Sequence, residues 1–437
     1  MSNLDHPRHA ALDLLRLVRD EGAYANLALA QVLKKHAING RDAAFTVELA
    51  YGVLRNQLLY DSYIRNCSSR ELEKMEPDVL DVVRMGVHQL IAMRVPDHAA
   101  VDSSVKLCRD ISSSGQAQAR AGFVNAILHC IIRSRDSGLA EVQDMSVAFS
   151  HPQWIIDAYR KSLHEAQRDE AEIVKLLEAN NAPAKPVIAV RHGDTTIPGT
   201  NPGLWSDAAR VLDSVIPQEL FSGNSNNVIV QDEGSQLVAQ AFLRAQPHGR
   251  ESAWLDMCAG PGGKAALISD AVPDGVTFTA VELHEHRARL IEKVVSPDTV
   301  VMVSDARKRP WGNLFFDRVL VDAPCTGLGA LRRRPEARWR KQVSDLPGLT
   351  LLQEELLHAA LDSTRSGGIV CYVTCSPHID ETREILDSVL SERTDATVED
   401  ARPLFAGVSD LGPGPTVQLW PHIHGTDAMF FALIRRT

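Results

Sequence analysis

The apolar residues of this chain follow a helical period in its first third and a strand–helix alternation from about residue 226 onward. From 1 to about 144, apolar positions recur three and four residues apart, as in Ala11, Leu14, Leu15 and Val18. This spacing is typical of helices with one buried face. Runs that alternate like strands are absent there, so the first third is predicted to be an all-α module.

The part from about 226 onward contains five short apolar stretches that alternate with helix-length segments. This order predicts an α/β Rossmann-like domain with a mostly parallel, doubly wound sheet and right-handed crossovers. Ligands of such sheets bind beyond the carboxyl ends of the strands. The predicted strands are 253–256, 276–282, 299–303, 318–322 and 369–374.

The segment between these two parts has a mixed character. Residues 186–190 form an apolar, strand-like run, whereas 192–227 are rich in Gly, Pro, Ser, Asn and Asp. We predict a small α+β connector there. A chain of 437 residues allows two or three domains, and the predicted division is 1–144, 145–225 and 226–437.

Composition excludes several classes of protein. Lys and Arg number 46 against 56 Asp and Glu, a net charge of −10, so a uniformly basic nucleic-acid-binding surface is excluded but a local basic patch is not. No stretch approaches the roughly 20 apolar residues of a membrane-spanning helix. Seven cysteines without clustered spacing argue against a disulfide scaffold and for a reducing cytoplasm.

Four of the cysteines lack any sign of a chemical role. An isolated cysteine is usually a small buried apolar residue. No Cys-x-x-Cys pair occurs, and His422 and His424 lack paired thiols at a usable spacing, so no metal is expected. The cysteines predicted to lie in the core are Cys67, Cys108, Cys130 and Cys371.

A glycine-rich turn follows the first predicted strand of the α/β part. Three glycines within 260–263 let a ligand approach the backbone, and the next helix offers free N–H groups. A P-loop is excluded, because Cys258 stands at its first glycine position and Ala265 follows the lysine. A dinucleotide and S-adenosyl-methionine both remain open, since Glu282 at the end of the next strand can accept the ribose hydroxyls of either.

Two further cysteines lie at the carboxyl ends of predicted strands. Cys325 follows the strand that ends at Asp322, and Cys375 follows the strand that ends at Thr374. Because the carboxyl ends of parallel strands open onto one crevice, both thiols are expected near the glycine turn.

A pair of thiols suits one class of reaction. Carbon 5 of a pyrimidine is a poor nucleophile until a group adds to carbon 6, and a thiolate that adds there lets carbon 5 attack an activated methyl group. The proton on carbon 5 must then leave and the thiol must be expelled, which requires a second acid or base. Asp322 can hold or protonate the ring nitrogen as the adduct forms.

These motifs together resemble a known family. Residues 256–264, 322–325 and 374–376 are similar to the RNA cytosine-C5 methyltransferases of the NOL1/NOP2/Sun group, and 231–236 resemble the segment that introduces their catalytic domain. The N-terminal helices are similar to the NusB-like domain. That domain marks the RsmB (Fmu/Sun) branch, whose members methylate a cytosine of 16S ribosomal RNA.

The resemblance implies roles for individual residues. Cys375 would be the nucleophile that attacks carbon 6, Cys325 would assist release of the product, and Asp322 would touch both the cofactor and the target base. The implied cofactor is S-adenosyl-methionine. Its expected contacts are Cys258, Ala259, Gly260, Pro261, Gly262, Gly263, Lys264, Glu282, Arg287, Asp305 and Asp322.

The chain departs from the usual family pattern in three places. Glu282 stands where Asp is common, and Gly260 stands where Ala is usual, which only adds room at the backbone. Near the C-terminus, Ala428 and Met429 fall within a motif that more often reads Asp-Gly-Phe-Phe. The local register there stays open.

The densest basic run holds six cations in ten residues, at 332–341. Because it follows Cys325, it is expected to lie beside the crevice, where cations would contact RNA phosphates and Trp339 would stack on a base. We expect the protein to act as a monomer on 16S ribosomal RNA. The predicted RNA contacts are Arg332, Arg333, Arg334, Arg338, Trp339, Arg340 and Lys341.

Two other functions remain as alternatives. A nicotinamide-dinucleotide oxidoreductase would explain the glycine turn but would leave Cys325, Cys375 and the arginine run without a purpose. A non-catalytic RNA-binding protein would explain the helical module. It would predict no methyl transfer and tolerance of Cys375→Ala.

Overall fold

The structure is a computed structural model that describes residues 5–139, 141–192, 197–213 and 227–437. The chain divides into two compact units. The helical unit comprises Met1–Ile156 together with Arg333–Arg340, and the α/β unit comprises Asp157–Arg332 together with Lys341–Thr437. The predicted boundary between 225 and 226 lies outside the described residues, and the predicted three-part division stays a prediction.

The helical unit consists of amphipathic helices around one apolar core. The residues predicted for the inner face of the first helix, Ala11, Leu14, Leu15 and Val18, are all buried, which confirms the helical period. The Asp5 carboxylate begins that helix by accepting the Arg8 N–H. The helices are α1 (His6–Asp20), α2 (Ala25–Lys35), α3 (Gly40–Arg55), α4 (Gln57–Cys67), α5 (Pro77–Ile91), α6 (Asp97–Asp110), α7 (Ala117–Asp136) and α8 (Met145–Ala148). Helix α9 (Gln153–Glu165) begins in this unit and continues into the α/β unit.

The packing of α4 against α7 overturns one prediction about the cysteines. Cys67 and Cys130 were expected to be separate core residues, but they form a disulfide. They lie 63 positions apart in the sequence, so only the packing of the two helices brings them together. Cys108 and Cys371 are buried and free, as predicted.

A small antiparallel sheet opens the α/β unit after α10 (Glu172–Asn181). Its strand order is β2-β3-β1-β4. The run predicted at 186–190 forms its strand β1, and the predicted loop from 192 to 227 lies partly outside the described residues. The strands are β1 (Val187–Val190), β2 (Thr200–Pro202), β3 (Ala209–Leu212) and β4 (Val228–Val230).

The larger sheet has the order β10-β12-β9-β8-β5-β6-β7, with β11 paired to β12. The pairs from β7 to β9 are parallel, whereas β12 is antiparallel to both β9 and β10. This confirms a mostly parallel, doubly wound sheet. Its strands are β5 (Ala253–Asp256), β6 (Thr277–Glu282), β7 (Val300–Val303), β8 (Phe316–Asp322), β9 (Thr364–Thr374), β10 (Ala396–Glu399), β11 (Val417–Gln418) and β12 (Phe430–Arg436).

Helices cover both faces of the larger sheet, so its central strands are apolar on both sides. In β8, Leu320 packs into the core on one face, whereas Val319 and Val321 pack into the core on the other. The helices are α11 (Glu233–Arg244), α12 (Gly263–Ser269), α13 (Glu285–Ile291), α15 (Leu346–Ser363), α16 (Arg383–Ser391) and α17 (Pro421–His424). The short helix α14 (Ala337–Arg340) belongs to the helical unit.

Among the described residues, no helix combines the length and the apolar content that a bilayer crossing requires.

Candidate active site

The strand order places a crevice at the carboxyl ends of β5 and β8. In the larger sheet, β6 and β7 lie on one side of β5, and β8 and β9 lie on its other side. A ligand crevice forms where the order reverses in this way. The glycine turn, Asp322 and both strand-end cysteines follow strands at this point, as predicted.

The glycine turn joins β5 to α12 in a conformation that larger residues would disturb. Gly262 has a φ of +111° and immediately precedes α12, a backbone conformation that favours glycine. A Cβ on Gly260 would overlap the carboxylate of Glu282. The turn is held to the sheet by the Ala259 N–H, which donates to Val281 O over 2.9 Å. The backbone at Gly260 is therefore open to a ligand, and a side chain there would displace the Glu282 carboxylate.

Glu282 ends β6 with a buried carboxylate beside the turn. Its Oε1 accepts the His284 N–H at 2.9 Å, and its Oε2 lies 3.5 Å from Arg287 Nε. Arg287 also donates to Gly260 O at 2.5 Å. The predicted contacts Gly260, Glu282 and Arg287 thus form one cluster, in which a carboxylate is available to the two hydroxyls of a ribose.

Asp256 is a site residue that the sequence analysis did not single out. It ends β5 and is almost fully buried; its Oδ1 accepts the Cys258 N–H at 3.2 Å, and its Oδ2 has no hydrogen-bond partner. Burial, reinforced by the charge of Asp322, raises the pKa of Asp256 to about 7. Burial likewise raises the pKa of the Cys258 thiol well above its ordinary value. A buried acid with an orphaned oxygen beside a glycine turn indicates a ligand-facing position.

Lys264 and Asp322 form an ion pair across the crevice. Lys264 Nζ donates to Asp322 Oδ2 at 2.7 Å. Burial by itself lowers the pKa of Lys264, but the charges of Asp322 and Cys375 outweigh it, and the pKa lies above its ordinary value. Lys264 is therefore a cation that faces both the acid at the end of β8 and the thiol at the end of β9.

The two strand-end cysteines meet. Cys325 Sγ and Cys375 Sγ lie 3.3 Å apart, and both residues are half-buried. The hydrogen bond to Cys375 and burial raise the pKa of Cys325 well above its ordinary value. In this pair Cys325 therefore keeps its proton, and its S–H can donate to a thiolate at Cys375.

Asp305 lies after β7, at the same edge of the sheet. Its Oδ1 accepts the Arg307 N–H at 3.1 Å, and its Oδ2 forms a 2.7 Å ion pair with Arg307. The Arg307 side chain lowers the pKa of Asp305. Much of this carboxylate is thus already engaged, and its predicted contact with an adenine stays a prediction.

The basic run is not the exposed strip that the sequence predicted. Arg338 is fully buried in the helical unit, where its Nη1 donates to Arg55 O at 3.0 Å and to Ser150 O at 2.9 Å. The Trp339 indole donates to Leu54 O at 2.7 Å and packs against the helical core. The prediction that Arg338 faces RNA is therefore wrong, because its side chain is committed to the interior. Trp339 is only partly buried, and its contact with RNA stays a prediction.

The remaining cations of the run differ among themselves. In the α/β unit, Arg332 is largely buried and donates to Gly425 O at 2.6 Å. In the helical unit, the guanidinium groups of Arg334 and Arg340 lie 5.6 and 4.1 Å from the Tyr24 ring centre. Arg333, Arg334, Arg340 and Lys341 are only partly covered, and their contact with RNA stays a prediction.

The C-terminal departure from the family pattern has a defined register. Strand β12 begins at Phe430, which lies opposite Thr374 of β9. The Ala428 N–H donates to Gly329 O, and the Gly329 N–H donates to Cys375 O, each over 2.9 Å. Residue 428 therefore belongs to the loop that supports the backbone of Cys375.

Sequence reasoning also missed a buried carboxylate between the cysteine loops. Glu381 is fully buried and accepts hydrogen bonds from Thr326, the residue after Cys325. No motif marks it; an acid six residues after Cys375 is identifiable only once its partners are known. In the described ranges, no cluster of three or more His, Cys, Asp or Glu side chains has the geometry of a metal site.

The fold and the crevice define a Rossmann-like α/β domain with a ligand crevice at its strand ends, and comparison with known proteins identifies the chain as a methyltransferase. The model of 16S rRNA methyltransferase RsmB/F matches residues 242–435, and that of the NusB family matches 5–133. A putative methyltransferase of Mycobacterium tuberculosis is 42% identical over 99% of this chain and 97% of its own length.

A second relative and a solved structure are also similar to this chain. The ribosomal RNA small subunit methyltransferase B of Xylella fastidiosa is 30% identical over 99% of this chain and 98% of that protein. The crystal structure of PH0851 shares the fold with a TM-score of 0.82 at 22% identity, over 100% of both chains. The chain belongs to the RsmB/F family of 16S rRNA methyltransferases. Membership favours methyl transfer over hydride transfer and over a non-catalytic role.

Proposed function

We propose that this protein methylates carbon 5 of a cytosine in 16S ribosomal RNA, with S-adenosyl-methionine as methyl donor and Cys375 as covalent nucleophile. The observation that carries the proposal is the pair of thiols at adjacent strand ends, 3.3 Å apart, beside the Lys264–Asp322 ion pair. Methylation of an exocyclic nitrogen or a hydroxyl requires no thiol. A carbon nucleophile in a pyrimidine does require one, because carbon 5 must first be activated.

The glycine turn fits the cofactor. The backbone at Gly260 leaves room for the cofactor to approach. The Glu282 carboxylate is placed to accept its ribose hydroxyls, and the orphaned oxygen of Asp256 is placed to contact its amino-acid end. When bound, S-adenosyl-methionine would supply an electrophilic methyl group, whose bond to the sulfonium breaks and leaves its electron pair on the sulfur when carbon 5 takes the methyl group. Lys264 and the residues of the turn would hold and orient the cofactor at that end of the crevice.

Cys375 begins the reaction as a thiolate. Its negative charge is supported by the S–H of Cys325 at 3.3 Å and by the Lys264 ammonium. The sulfur bonds to carbon 6, and the electron pair of the 5,6 double bond becomes available at carbon 5 for the new carbon–carbon bond. Asp322, which is partly exposed to the crevice, shares a proton with the ring nitrogen of the base during this addition.

Cys325 serves the release step. Its pKa is raised chiefly by the hydrogen bond to Cys375. Once the Cys375 sulfur is bonded to carbon 6 it carries no charge, so that cause disappears, the pKa of Cys325 falls, and Cys325 releases its proton to solvent more readily. The Cys325 thiolate then accepts the proton from carbon 5, the 5,6 double bond re-forms, and the carbon 6–sulfur bond breaks to return the Cys375 thiolate.

The proposal is tested with the full chain, cofactor tritiated in its methyl group, and an unmodified 16S ribosomal RNA transcript. Wild type is expected to yield labelled 5-methylcytidine after digestion of the RNA. Cys375→Ala is expected to yield none, because carbon 5 stays unactivated. Cys325→Ala is expected to accumulate a covalent protein–RNA complex on denaturing gels, because release is blocked.

Cys371→Ala is the matched control, since this buried cysteine lies in the same strand but inside the core. It should keep most of the activity. Product from Cys375→Ala, or label that appears as N4-methylcytidine, would contradict the proposal. Normal turnover by Cys325→Ala would remove Cys325 from the release step.

A further inference from the structure

The proposed chemistry needs two thiols on separate loops to stay in contact. Cys325 lies in the loop after β8, and Cys375 lies in the loop after β9. Fixing two loop side chains relative to each other requires groups beneath them, because the loops lie beyond the sheet's own hydrogen bonds. One buried carboxylate, that of Glu381, contacts the residues next to Cys325.

The Glu381 side chain is fully buried and accepts three hydrogen bonds. Its Oε1 accepts the Thr326 N–H at 2.7 Å and an amide N–H of Gln353 at 3.2 Å, and its Oε2 accepts the Thr326 hydroxyl at 2.5 Å. The Gln353 amide also donates to Pro324 O at 2.8 Å. The residues on both sides of Cys325 are thus tied to one acid.

The same acid reaches the Cys375 loop through hydroxyl groups. Thr326 Oγ1 and Ser376 Oγ lie 3.1 Å apart, and Ser376 Oγ accepts the His378 N–H at 3.1 Å. Because the Thr326 hydroxyl donates to Glu381, the Ser376 hydroxyl must donate to Thr326. The donors therefore run in one direction, from His378 through Ser376 and Thr326 to the carboxylate.

Glu381 is itself held in place by the sheet. It closes the short turn Ile379–Glu381, and its carbonyl oxygen accepts the Tyr372 hydroxyl at 2.8 Å. Tyr372 is a fully buried residue of β9. The acid that organises both loops is thus anchored to the strand that carries Cys375.

We propose that Glu381 is a positioning residue for the reaction: through Thr326, Gln353 and Ser376 it holds the Cys325 and Cys375 loops at thiol contact. The inference rests on the proposed function. The negative charge of Glu381 is also among the causes that raise the pKa of Cys325, after the hydrogen bond to Cys375 and burial.

The shape-matched variant Glu381→Gln tests the inference. It replaces one accepting oxygen by an N–H₂ donor and removes the charge, so the donor chain must reverse. We expect kcat on the 16S transcript to fall about tenfold or more, as for small misplacements of reacting groups. The KM for S-adenosyl-methionine should change less than twofold, since Glu381 does not contact the glycine turn.

The matched control is Glu233→Gln. Glu233 is another buried acid of the α/β unit, and its Oε1 accepts the N–H groups of Trp205 at 2.6 Å and Ser206 at 2.7 Å. It makes no contact with the cysteine loops, so its kcat should stay within twofold of wild type. Thr326→Ser, which keeps the hydroxyl, should also retain kcat, whereas Thr326→Val should lose it like Glu381→Gln.

A second measurement needs neither RNA nor cofactor. It can therefore fail or succeed independently of whether the proposed methyl transfer is correct. In a Cys375→Ala chain, the alkylation of Cys325 by iodoacetamide is followed against pH by peptide mass mapping. Adding Glu381→Gln should move the onset of alkylation to lower pH, because a negative charge near the thiol is lost. A purely structural role would not give this shift.

Wild-type kcat in Glu381→Gln, or an unchanged alkylation profile, would overturn the inference. If circular dichroism shows that Glu381→Gln does not fold, the inference is tested instead by comparing kcat of Thr326→Val with kcat of Thr326→Ser. Equal kcat in that pair would overturn the inference as well.

Discussion

Two residues of the crevice, Lys264 and Asp256, both have raised pKa values, but for different reasons. Lys264 keeps its charge because Asp322 pairs with it, while burial raises the pKa of Asp256 to about 7. Such neighbours with shifted pKa values are typical of catalytic and ligand-binding sites. The cost of burying Asp256 has a measurable consequence for stability.

We expect the wild-type chain to lose stability relative to Asp256→Asn as pH rises from about 4 to about 7. In the unfolded chain this carboxyl releases its proton near its ordinary pKa of 3.8, whereas in the folded chain it does so near 7. Between these values the unfolded state binds fewer protons, so the free energy of unfolding falls as pH rises. The integrated effect is about 4 kcal/mol as an upper bound.

Urea denaturation of both chains at pH 5 and pH 8 measures this difference. The control is Asp274→Asn, at an exposed aspartate. Its difference from wild type in the free energy of unfolding should be the same at both pH values. An equal offset between wild type and Asp256→Asn at both pH values would contradict the assignment of a raised pKa.

At the scale of elements, the turn between β5 and α12 brings the backbone of Gly260 close to the Glu282 side chain, which leaves no room for a Cβ unless that side chain moves. We expect Gly260→Ala to weaken the binding of S-adenosyl-methionine about tenfold or more, a loss of about 1.4 kcal/mol or more in binding free energy. The family usually has Ala here, but it commonly has Asp where this chain has the longer Glu282. In this chain the added Cβ would overlap the Glu282 carboxylate and displace it from the ribose position. Titration calorimetry with the full chain measures the affinity.

The control for this prediction is Gly348→Ala in α15, where a Cβ meets open space. It should bind the cofactor like wild type. Unchanged affinity in Gly260→Ala would show that the turn does not lie against the cofactor.

The elements themselves were largely predictable from the apolar pattern. Strand β5 has the predicted bounds, and β6, β7 and β8 differ from prediction by one or two residues. Strand β9 begins at Thr364, five residues before the predicted start, because Arg365, Ser366 and two glycines look like a turn in sequence. In the structure Thr364 pairs with Phe316 and Ile369 pairs with Arg318 of β8, and residues 365–368 form an irregularity between these two pairs.

The functional residues that could be predicted are those that chain order places at strand ends. Asp322, Cys325 and Cys375 follow strands, so topology alone brings them to one edge. Contacts between distant segments could not be predicted in this way. Arg338 is buried by Arg55 and Ser150, and Glu381 is defined by Thr326; neither pairing leaves a periodic signal in the sequence.

At the scale of the whole molecule, an acidic protein has to bind a polyanion. A net charge of −10 means that RNA binding requires a restricted set of cations. With Arg338 committed to the interior, the side chains of the basic run that remain available include Arg334, Arg340 and Lys341, which are only partly covered.

We expect the triple change of Arg334, Arg340 and Lys341 to Gln to weaken RNA binding and to flatten its salt dependence. Each phosphate contact contributes about 0.7 to the slope of log K against log salt for single strands, so the slope should fall by up to about 2. Filter binding at several salt concentrations measures it.

A triple change of three exposed lysines, Lys35, Lys74 and Lys185, to Gln alters the net charge equally and serves as control. A slope that falls equally in both triple variants would show that only net charge matters and would remove the basic run from the RNA interface.

The covalent step is tested most directly by mapping the protein–RNA bond. A 16S transcript that carries 5-fluorocytidine cannot lose a proton from carbon 5, so the release step is blocked after methyl transfer. Wild-type protein, cofactor and this RNA should yield a covalent complex whose digest contains the Cys375 peptide with a bound methylated fluorocytidine nucleotide. A nucleotide on any other residue, or no complex from a chain that methylates the ordinary transcript, would contradict the account.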